Sequence, residues 1–241
     1  MRVAISGYGN MGTILLEEIA NNDTFELVGV VDYLGNVGVS TFNDLTVIPD
    51  MIIDFSHPSV LNDLLSYCKA TNCKAVLATT GYSVENLKLI KQTSKNIALL
   101  QTGNTSFGIS LIQSVLSKVS SLLTEFDVEV IEKHHNLKVD APSGTAKMLI
   151  EAVATKDTQV IFGREGSSKR SKNEIGVHSL RGGTITGEHS VIFAGKDEVI
   201  EFKHQALSKR IFATGALKAA TFLNKQEKGL YSMESVFEEV L

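Results

Sequence analysis

The N-terminal part of the chain alternates short apolar, β-branched runs with segments whose apolar residues recur at the spacing of one helix face. Such an alternation is typical of βαβ units, and runs that are apolar on both faces suit a parallel sheet covered by helices. We predict strands at residues 2–6, 25–32, 51–55, 74–79 and 97–101. The helical spacing is carried by Met11, Ile14, Leu15 and Ile19, and again by Val60, Leu61, Leu64 and Leu65. The chain is therefore expected to begin with an α/β domain.

The pattern changes beyond Gly103. A long amphipathic stretch, residues 109–123, leads into alternating segments that predict strands at residues 128–131, 175–180, 184–193 and 199–203. This order indicates a second, α+β domain with an antiparallel or mixed open sheet. Residues 165–173 are polar and basic and are expected to form a mobile surface loop, whereas residues 210–224 are again helical.

The composition is that of a folded protein of one large or two modest domains, with 43% hydrophobic and 21% charged residues among 241. A formal net charge of -4, without a long run of one sign, argues against nucleic acid as a partner. No run approaches the roughly 18 to 20 apolar residues of a membrane helix, and glycines interrupt the N-terminus where a signal peptide would be apolar. We therefore expect no membrane partner and a cytoplasmic protein. Cys68 and Cys73 are too few for a disulfide framework and are expected to be buried or half-buried thiols.

A glycine-rich loop follows the first predicted strand and opens the first predicted helix. It has the pattern G-x-G-x-x-G and consists of Gly7, Tyr8, Gly9, Asn10, Met11 and Gly12. In a dinucleotide site the first glycine makes the tight turn, the second lets the backbone approach a pyrophosphate, and the third lets the helix pack on the sheet. Asp32, at the end of the second strand, is placed to accept hydrogen bonds from a ribose diol. Glycines of an ordinary turn are the alternative, but the combination favours a Rossmann-like dinucleotide-binding domain.

The choice between NADH and NADPH depends on the residues that follow the second strand. The carboxylate of Asp32 repels a 2′-phosphate, Tyr33 stands where an arginine would attract one, and residues 33–42 contain no Lys or Arg. The sequence thus favours NADH without excluding NADPH. Two later loops at strand ends are candidates for the nicotinamide side, or ordinary turns: Ala78, Thr79 and Thr80, and Thr102, Gly103, Asn104 and Thr105.

A second polar constellation follows the strand at residues 128–131 and runs into a helix that begins near Ser143. His134, His135 and Lys138 place proton donors close to a helix N-terminus that can receive an anion. Surface histidines and a simple N-cap are the alternative interpretation. Zinc fits poorly because adjacent histidine side chains diverge and no third ligand lies at a suitable spacing, so we expect no metal.

The stretch from Glu132 to Ala146, E-K-H-H-N-L-K-V-D-A-P-S-G-T-A, resembles the signature of the dihydrodipicolinate reductase family. Further segments follow the order of that family along the whole chain. They are Met11-Gly12, Asp54-Phe55-Ser56, the turn at residues 78–81, Asn104 with Ser106, residues 180–183, residues 187–189 and residues 208–216.

The resemblance implies NADH- or NADPH-dependent reduction of a cyclic dicarboxylate imine to tetrahydrodipicolinate in diaminopimelate and lysine biosynthesis. By similarity, His134 is the general acid/base and Lys138 is the proton donor. The implied substrate contacts are His135, Lys138, Gly144, Thr145 and Arg181.

The resemblance also implies how the domains are arranged along the chain. Residues 1–106 with 210–241 would bind the dinucleotide, and residues 107–209 would bind substrate and mediate oligomerisation, with hinges near residues 104–107 and 208–210. An open sheet face needs cover, which favours a homo-oligomer, and the family implies a homotetramer.

Two other functions stay open. A different nicotinamide-dependent dehydrogenase, acting on an amino or keto acid, would use the same glycine loop but ignore the cyclic imine. A non-catalytic dinucleotide sensor would bind cofactor without turnover, and it would leave His134, His135 and Lys138 without a purpose.

Overall fold

The computed structural model describes residues 1–238, and the chain divides into two compact units. One consists of Met1–Phe107 and Lys209–Leu241, and the other of Gly108–Ser208. No helix among the described residues combines the length and apolar character needed to cross a bilayer.

The first unit is built on a six-stranded sheet in which every strand pair is parallel. Its strands are β1 (Arg2–Ser6), β2 (Glu26–Val31), β3 (Met51–Asp54), β4 (Lys74–Leu77), β5 (Ala98–Gln101) and β11 (Gly229–Tyr231). Its helices are α1 (Asn10–Ala20), α2 (Leu61–Thr71), α3 (Val84–Thr93), α6 (Arg210–Lys225) and α7 (Ser235–Glu238). The spatial order is β11-β5-β4-β3-β1-β2. The predicted α/β class is confirmed.

Both faces of this sheet are buried, which follows from the two-residue period of a strand. On one face Val3 and Ile5 of β1 pack with Leu15 of α1 and alanines of α6. On the other face Ala4 and Ile52 pack with Leu64 of α2. Runs that are apolar at every position are therefore required here, since each neighbouring side chain enters a different core.

The second unit contains a five-stranded mixed sheet. Its strands are β6 (Asp127–His134), β7 (Gln159–Phe162), β8 (Glu174–Arg181), β9 (Gly187–Ala194) and β10 (Val199–Ala206), and its helices are α4 (Phe107–Val119, whose first residue belongs to the other unit) and α5 (Gly144–Val153). The order is β10-β9-β6-β8-β7. The pairs β6–β8 and β8–β7 are parallel, whereas β6–β9 and β9–β10 are antiparallel. The mixed sheet that the sequence predicts is confirmed.

Helices cover one face of the mixed sheet. Leu116 of α4 and Leu149 of α5 pack against Val130 of β6 and against Val191 and Phe193 of β9. This apolar layer ends where β6 approaches its C-terminus, and polar residues continue the same face.

Several predicted bounds were wrong. The most consequential is that of β6, which runs on to His134 and so contains Glu132, although the sequence predicted a loop from residue 132. The strand continues because β8 and β9 both pair with it up to that point. The strand β9 begins at Gly187, three residues later than predicted, and the short edge strands β7 and β11 were missed because four and three residues carry too little pattern.

The basic loop at residues 165–173 is attached to the sheet through Arg170. Its guanidinium contacts Glu129 at 2.5 Å and Asp127 at 3.0 Å. Both cysteines are buried free thiols, as predicted.

Candidate active site

The candidate site of the second unit lies where the helix-covered face of the mixed sheet turns from apolar to polar. Along β6 the inward residues are Val130, Glu132 and His134, two positions apart and all buried. The register places Arg181 of β8 beside His134 and His189 of β9 beside Glu132. A carboxylate, two imidazoles and a guanidinium therefore share one small region at the edge of a hydrophobic core.

Glu132 is the centre of this cluster and has no exposed surface. Arg181 donates to both of its carboxylate oxygens, at 2.9 Å and 2.6 Å, and the backbone N–H of Ser143 donates to one of them at 3.3 Å. Burial alone would raise the pKa of Glu132, but hydrogen bonds from Arg181, Ser179 and His134 outweigh it and lower that pKa to about 2. Glu132 is thus a carboxylate at every physiological pH.

His134 is bonded to this carboxylate through Nδ1, which lies 2.5 Å from Oε2 of Glu132. Burial lowers the pKa of His134, the bond to Glu132 opposes that effect, and the cations Lys138 and Arg181 add to it. Because an ionised carboxylate only accepts hydrogen bonds, Nδ1 carries the proton and Nε2 of the neutral ring offers a lone pair.

A second pair links the sheet to the start of α5. Ser143 caps this helix by accepting a hydrogen bond from the N–H of Ala146 at 3.1 Å, and its Oγ lies 2.9 Å from Nε2 of His189. Burial, followed by the neighbouring His134, lowers the pKa of His189 to about 4. His189 is therefore neutral at neutral pH and holds the helix start against the polar end of the sheet.

The helix start itself is open. Gly144 is exposed and a β-carbon built on it meets no atom within 4 Å, while Thr145 is half-buried. Such an N-terminus presents N–H groups and a positive dipole end to an anion.

The loop before the helix carries the remaining cation. Nζ of Lys138 lies 2.7 Å from Oδ1 of Asp140, and the Lys138 side chain is 21% exposed. His135 is half-buried in the same loop, where its carbonyl accepts from the N–H of Lys138.

A metal would find three ligand atoms within 4.8 Å of one another at Glu132, His134 and His189. The carboxylate is already bonded to a guanidinium and an imidazole, and the positive charge of Arg181 opposes a second cation there. This donor set suits proton transfer better than metal binding.

The glycine loop of the first unit has the backbone geometry that a dinucleotide needs. Gly7 has a φ of +89°, and a β-carbon there would lie 2.7 Å from the carbonyl oxygen of Phe55. A β-carbon on Gly12 would lie 2.1 Å from the carbonyl oxygen of Gly7, which shows how closely α1 packs on the turn. Gly9 is exposed with nothing within 4 Å, so a pyrophosphate can approach its backbone. Tyr8 and Met11 are half-buried beside the loop, and Asn10 is exposed at the first turn of α1.

Asp32 is buried at the end of β2, and its carboxylate already accepts hydrogen bonds from its own loop. The donors are the N–H of Leu34 at 3.3 Å and the N–H and side-chain amide of Asn36 at 3.1 Å and 3.2 Å. A cavity of about 590 Å³ lies next to this loop, lined by Ser6, Tyr33, Thr41, Ser56 and Asp63 among others. Among the described residues that line it there is no Lys or Arg.

The loops after β3 and β4 are tied together by Asp54, which sequence reasoning did not assign a role. Its buried carboxylate accepts from the hydroxyls of Ser56 at 2.5 Å, Thr79 at 2.7 Å and Tyr82 at 3.2 Å. Thr79 is thus directed at Asp54, whereas Ala78 is buried and Thr80 is exposed.

The loop after β5 is also stabilised from within. Thr102 donates to the carbonyl of Asn104 at 2.8 Å, and Thr105 donates to the carbonyl of Phe212 in α6 at 2.7 Å. Gly103 is the exposed member of this group.

Comparisons with known proteins agree along the whole chain. A family model described as "Dihydrodipicolinate reductase, N-terminus" matches residues 1–105, and one described as "Dihydrodipicolinate reductase, C-terminus" matches residues 108–237. The 4-hydroxy-tetrahydrodipicolinate reductase of Exiguobacterium sibiricum is 46% identical over 242 residues, covering 99% of this chain and 97% of the relative. The 4-hydroxy-tetrahydrodipicolinate reductase of Clostridium tetani is 46% identical over 235 residues, covering 94% of this chain and 92% of the relative. Among solved structures, the dipicolinate-bound dihydrodipicolinate reductase of Paenisporosarcina sp. TG-14 has a TM-score of 0.83 at 24% identity, covering 100% of this chain and 99% of the other.

Proposed function

This chain belongs to the dihydrodipicolinate reductase family, and we propose that it reduces 4-hydroxy-tetrahydrodipicolinate (dihydrodipicolinate) to tetrahydrodipicolinate with NADH or NADPH, in diaminopimelate and lysine biosynthesis. The observation that carries the proposal is the ionised Glu132 bonded to Nδ1 of His134, next to the helix N-terminus capped by Ser143. This arrangement combines a proton-transfer group with a receptor for an anion.

The glycine loop fits the cofactor. Gly9 leaves its backbone accessible, and the positive φ of Gly7 is a conformation that a side chain would strain. A bound nicotinamide would supply the hydride that is added to a ring carbon of the substrate, and the hydroxyl group of the 4-hydroxy form leaves as water. The work left to the chain is to orient the two rings and to supply the balancing proton.

The residues of the second unit divide that work. His134 is proposed as the general acid/base and Lys138 as the proton donor, a contribution of roughly 10²- to 10⁴-fold for a positioned acid. The carboxylates of the substrate are received by His135, Lys138 and the N–H groups of Gly144 and Thr145 at the start of α5. The dipicolinate bound to the structural relative is itself a cyclic dicarboxylate, which supports this substrate class.

Family membership also supports a proposal for the assembly and the location. We propose a homotetramer, built through the second unit and located in the cytoplasm, with residues 1–106 and 210–241 binding the dinucleotide and residues 107–209 binding substrate.

The activity is tested by loss of nicotinamide absorbance when the purified chain meets NADH, or separately NADPH. The substrate is made in situ from pyruvate and aspartate semialdehyde by the enzyme that condenses them, and a reaction without that enzyme is the control. Oxidation that depends on the condensing enzyme is expected. Cofactor binding without oxidation would instead favour the sensor, and oxidation only with another amino or keto acid would favour a different dehydrogenase.

A further inference from the structure

Every terminal N–H of Arg181 is engaged within the protein. One terminal nitrogen donates to Oε2 of Glu132 at 2.9 Å and to the carbonyl of Leu180 at 2.8 Å. The other donates to Oε1 of Glu132 at 2.6 Å and to the carbonyl of Asp140 at 2.6 Å. The remaining donor, Nε, is buried. A guanidinium offers five N–H groups, so no terminal one remains for a substrate carboxylate.

Glu132, the carboxylate that Arg181 binds, also contacts His134. Oε2 of Glu132 is shared between Arg181 and Nδ1 of His134, and Glu132 lies wholly inside the protein. A carboxylate that holds one ring nitrogen of a histidine fixes the ring orientation and the position of its proton.

We propose that Arg181 and Glu132 are positioning residues that act on the reaction through His134, with Arg181 holding the Glu132 carboxylate and Glu132 fixing the imidazole so that Nε2 is its acceptor atom. The proposal rests on the proposed function for its kinetic consequences. It gives Arg181 a role different from the substrate contact that the resemblance implies.

The charges around His134 explain why both partners are needed. A lone buried carboxylate would favour the imidazolium form, and Arg181 offsets that charge from β8. Lys138 in the following loop, itself paired with Asp140, adds a second positive charge, while His189 on β9 is neutral. At the start of α5 the N–H of Ser143 also bonds Glu132. With this balance His134 stays neutral, and Lys138 is the charged donor of the site.

Substitutions of Glu132 and Arg181 are expected to shift the pH profile of activity in opposite directions. Activity that needs neutral His134 is lost as the pH falls through the pKa of that histidine. Glu132→Gln removes the anion that raises this pKa, so the acidic limb of kcat/KM moves to lower pH. Arg181→Met removes a cation that lowers it, so the same limb moves to higher pH. We expect each shift to exceed about half a pH unit.

Turnover should fall together with these shifts. We expect kcat to drop about 10- to 100-fold in both variants, the usual cost of removing a group that orients a histidine, while KM for the imine changes little. Arg181→Lys keeps the charge and should restore the position of the acidic limb. Arg170→Met is the matched control, because Arg170 is also a partly buried, multiply bonded arginine that contacts this sheet, but it bonds Asp127, Glu129 and Glu174 instead.

The tautomer can be read directly in the unaltered protein. Nitrogen-15 NMR of histidine-labelled chain, without substrate, should show His134 with Nδ1 protonated and Nε2 unprotonated at neutral pH. The opposite tautomer, or a doubly protonated ring, would overturn the proposal even if the variants fail to fold.

Kinetic outcomes separate the alternatives. A large rise in KM for the imine with unchanged kcat and pH profile in Arg181→Met would make Arg181 a substrate contact. Equal losses in Arg181→Met and Arg170→Met without a pH shift would reduce it to a structural role. Absence of imine reduction by the unaltered chain would refute the proposed function, whereas the NMR result would still decide the geometry.

Discussion

Gly187 borders the acceptor nitrogen of His134. A β-carbon built at position 187 would lie 3.1 Å from Nε2 of His134 and 3.9 Å from Cε1 of His189. Since Nδ1 of His134 is bonded to Glu132, Nε2 is the ring nitrogen that remains for proton transfer, and the space beside Gly187 lies next to it.

Gly187→Ala is therefore expected to lower kcat by about tenfold or more, because a misplacement of about 1 Å can cost about a hundredfold. The fold should tolerate the methyl group, since Gly187 lies in a strand without a positive φ. Steady-state kinetics and thermal unfolding measure the two effects. Gly182→Ala is the control, as a β-carbon there meets nothing within 4 Å, and equal losses in both variants would contradict the argument.

Lys138→Ala should reduce kcat by roughly 10²- to 10⁴-fold, because the cation proposed as the proton donor is removed. The dissociation constant for NADH, measured by nicotinamide fluorescence, should change less than about twofold, since Lys138 lies in the second unit. Lys196→Ala removes an exposed lysine of the same unit and should keep full activity. A Lys138→Ala variant at full rate would exclude Lys138 from the mechanism.

The longer strands of both units could be predicted because they depend on local patterns, whereas the short edge strands β7 and β11 could not. The apolar strands of the parallel sheet and the glycine loop each lie within a few neighbouring residues, and the sequence shows them directly. The histidine loop was recognised for the same reason.

The internal bonds of the site could not be predicted. Arg181 and Glu132 are 49 positions apart, and Ser143 and His189 are 46 apart, so their contacts depend on the register of strands and not on local spacing. The sequence predicts that Glu132 belongs to a polar loop. Only its position on the buried face of β6 identifies it as a residue of the site. The two-residue period Val130, Glu132 and His134 was the available signal.

The hydrogen bonds of Asp32 in the first unit could not be predicted from the sequence either. The sequence predicts a ribose acceptor, and that role stays a prediction. The carboxylate also organises residues 34–36 through hydrogen bonds, a second role that the motif alone does not reveal.

Tyr33→Arg should increase kcat/KM for NADPH by about tenfold and leave the value for NADH nearly unchanged. Tyr33 is half exposed and lines the cavity next to the Asp32 loop, where no described lining residue is cationic. An arginine there could make a charge-assisted hydrogen bond to a 2′-phosphate, worth about 1.5 kcal/mol. Tyr33→Gln, which adds no charge, is the control. The unaltered chain should prefer NADH, and a strong NADPH preference would show that cations elsewhere bind the phosphate.

Thr79→Val should lower the free energy of unfolding by about 1–3 kcal/mol. The hydroxyl of Thr79 donates to the buried carboxylate of Asp54, and it also accepts from the N–H of Ser56 at 2.9 Å. Removing this hydroxyl deprives the Asp54 carboxylate and the N–H of Ser56 of one hydrogen bond each. Urea unfolding measures the change, and Thr80→Val, at an exposed neighbour, should stay within about 0.5 kcal/mol. Similar stabilities for the two variants would mean that the Asp54 network contributes little.

His189 and Glu132 should make the fold sensitive to acid in two successive ranges. The pKa of His189 is lowered from 6.5 to about 4, so the unfolded chain binds the extra proton first, and stability is lost as the pH falls through that range. The pKa of Glu132 is lowered from 4.5 to about 2, so its contribution is present above pH 4.5 and is lost below it. His189→Gln should flatten the dependence of unfolding free energy between pH 6.5 and 4, by on the order of 2–3 kcal/mol, in urea titrations at a series of pH values. An unchanged slope in His189→Gln would show that His189 is not held neutral by burial.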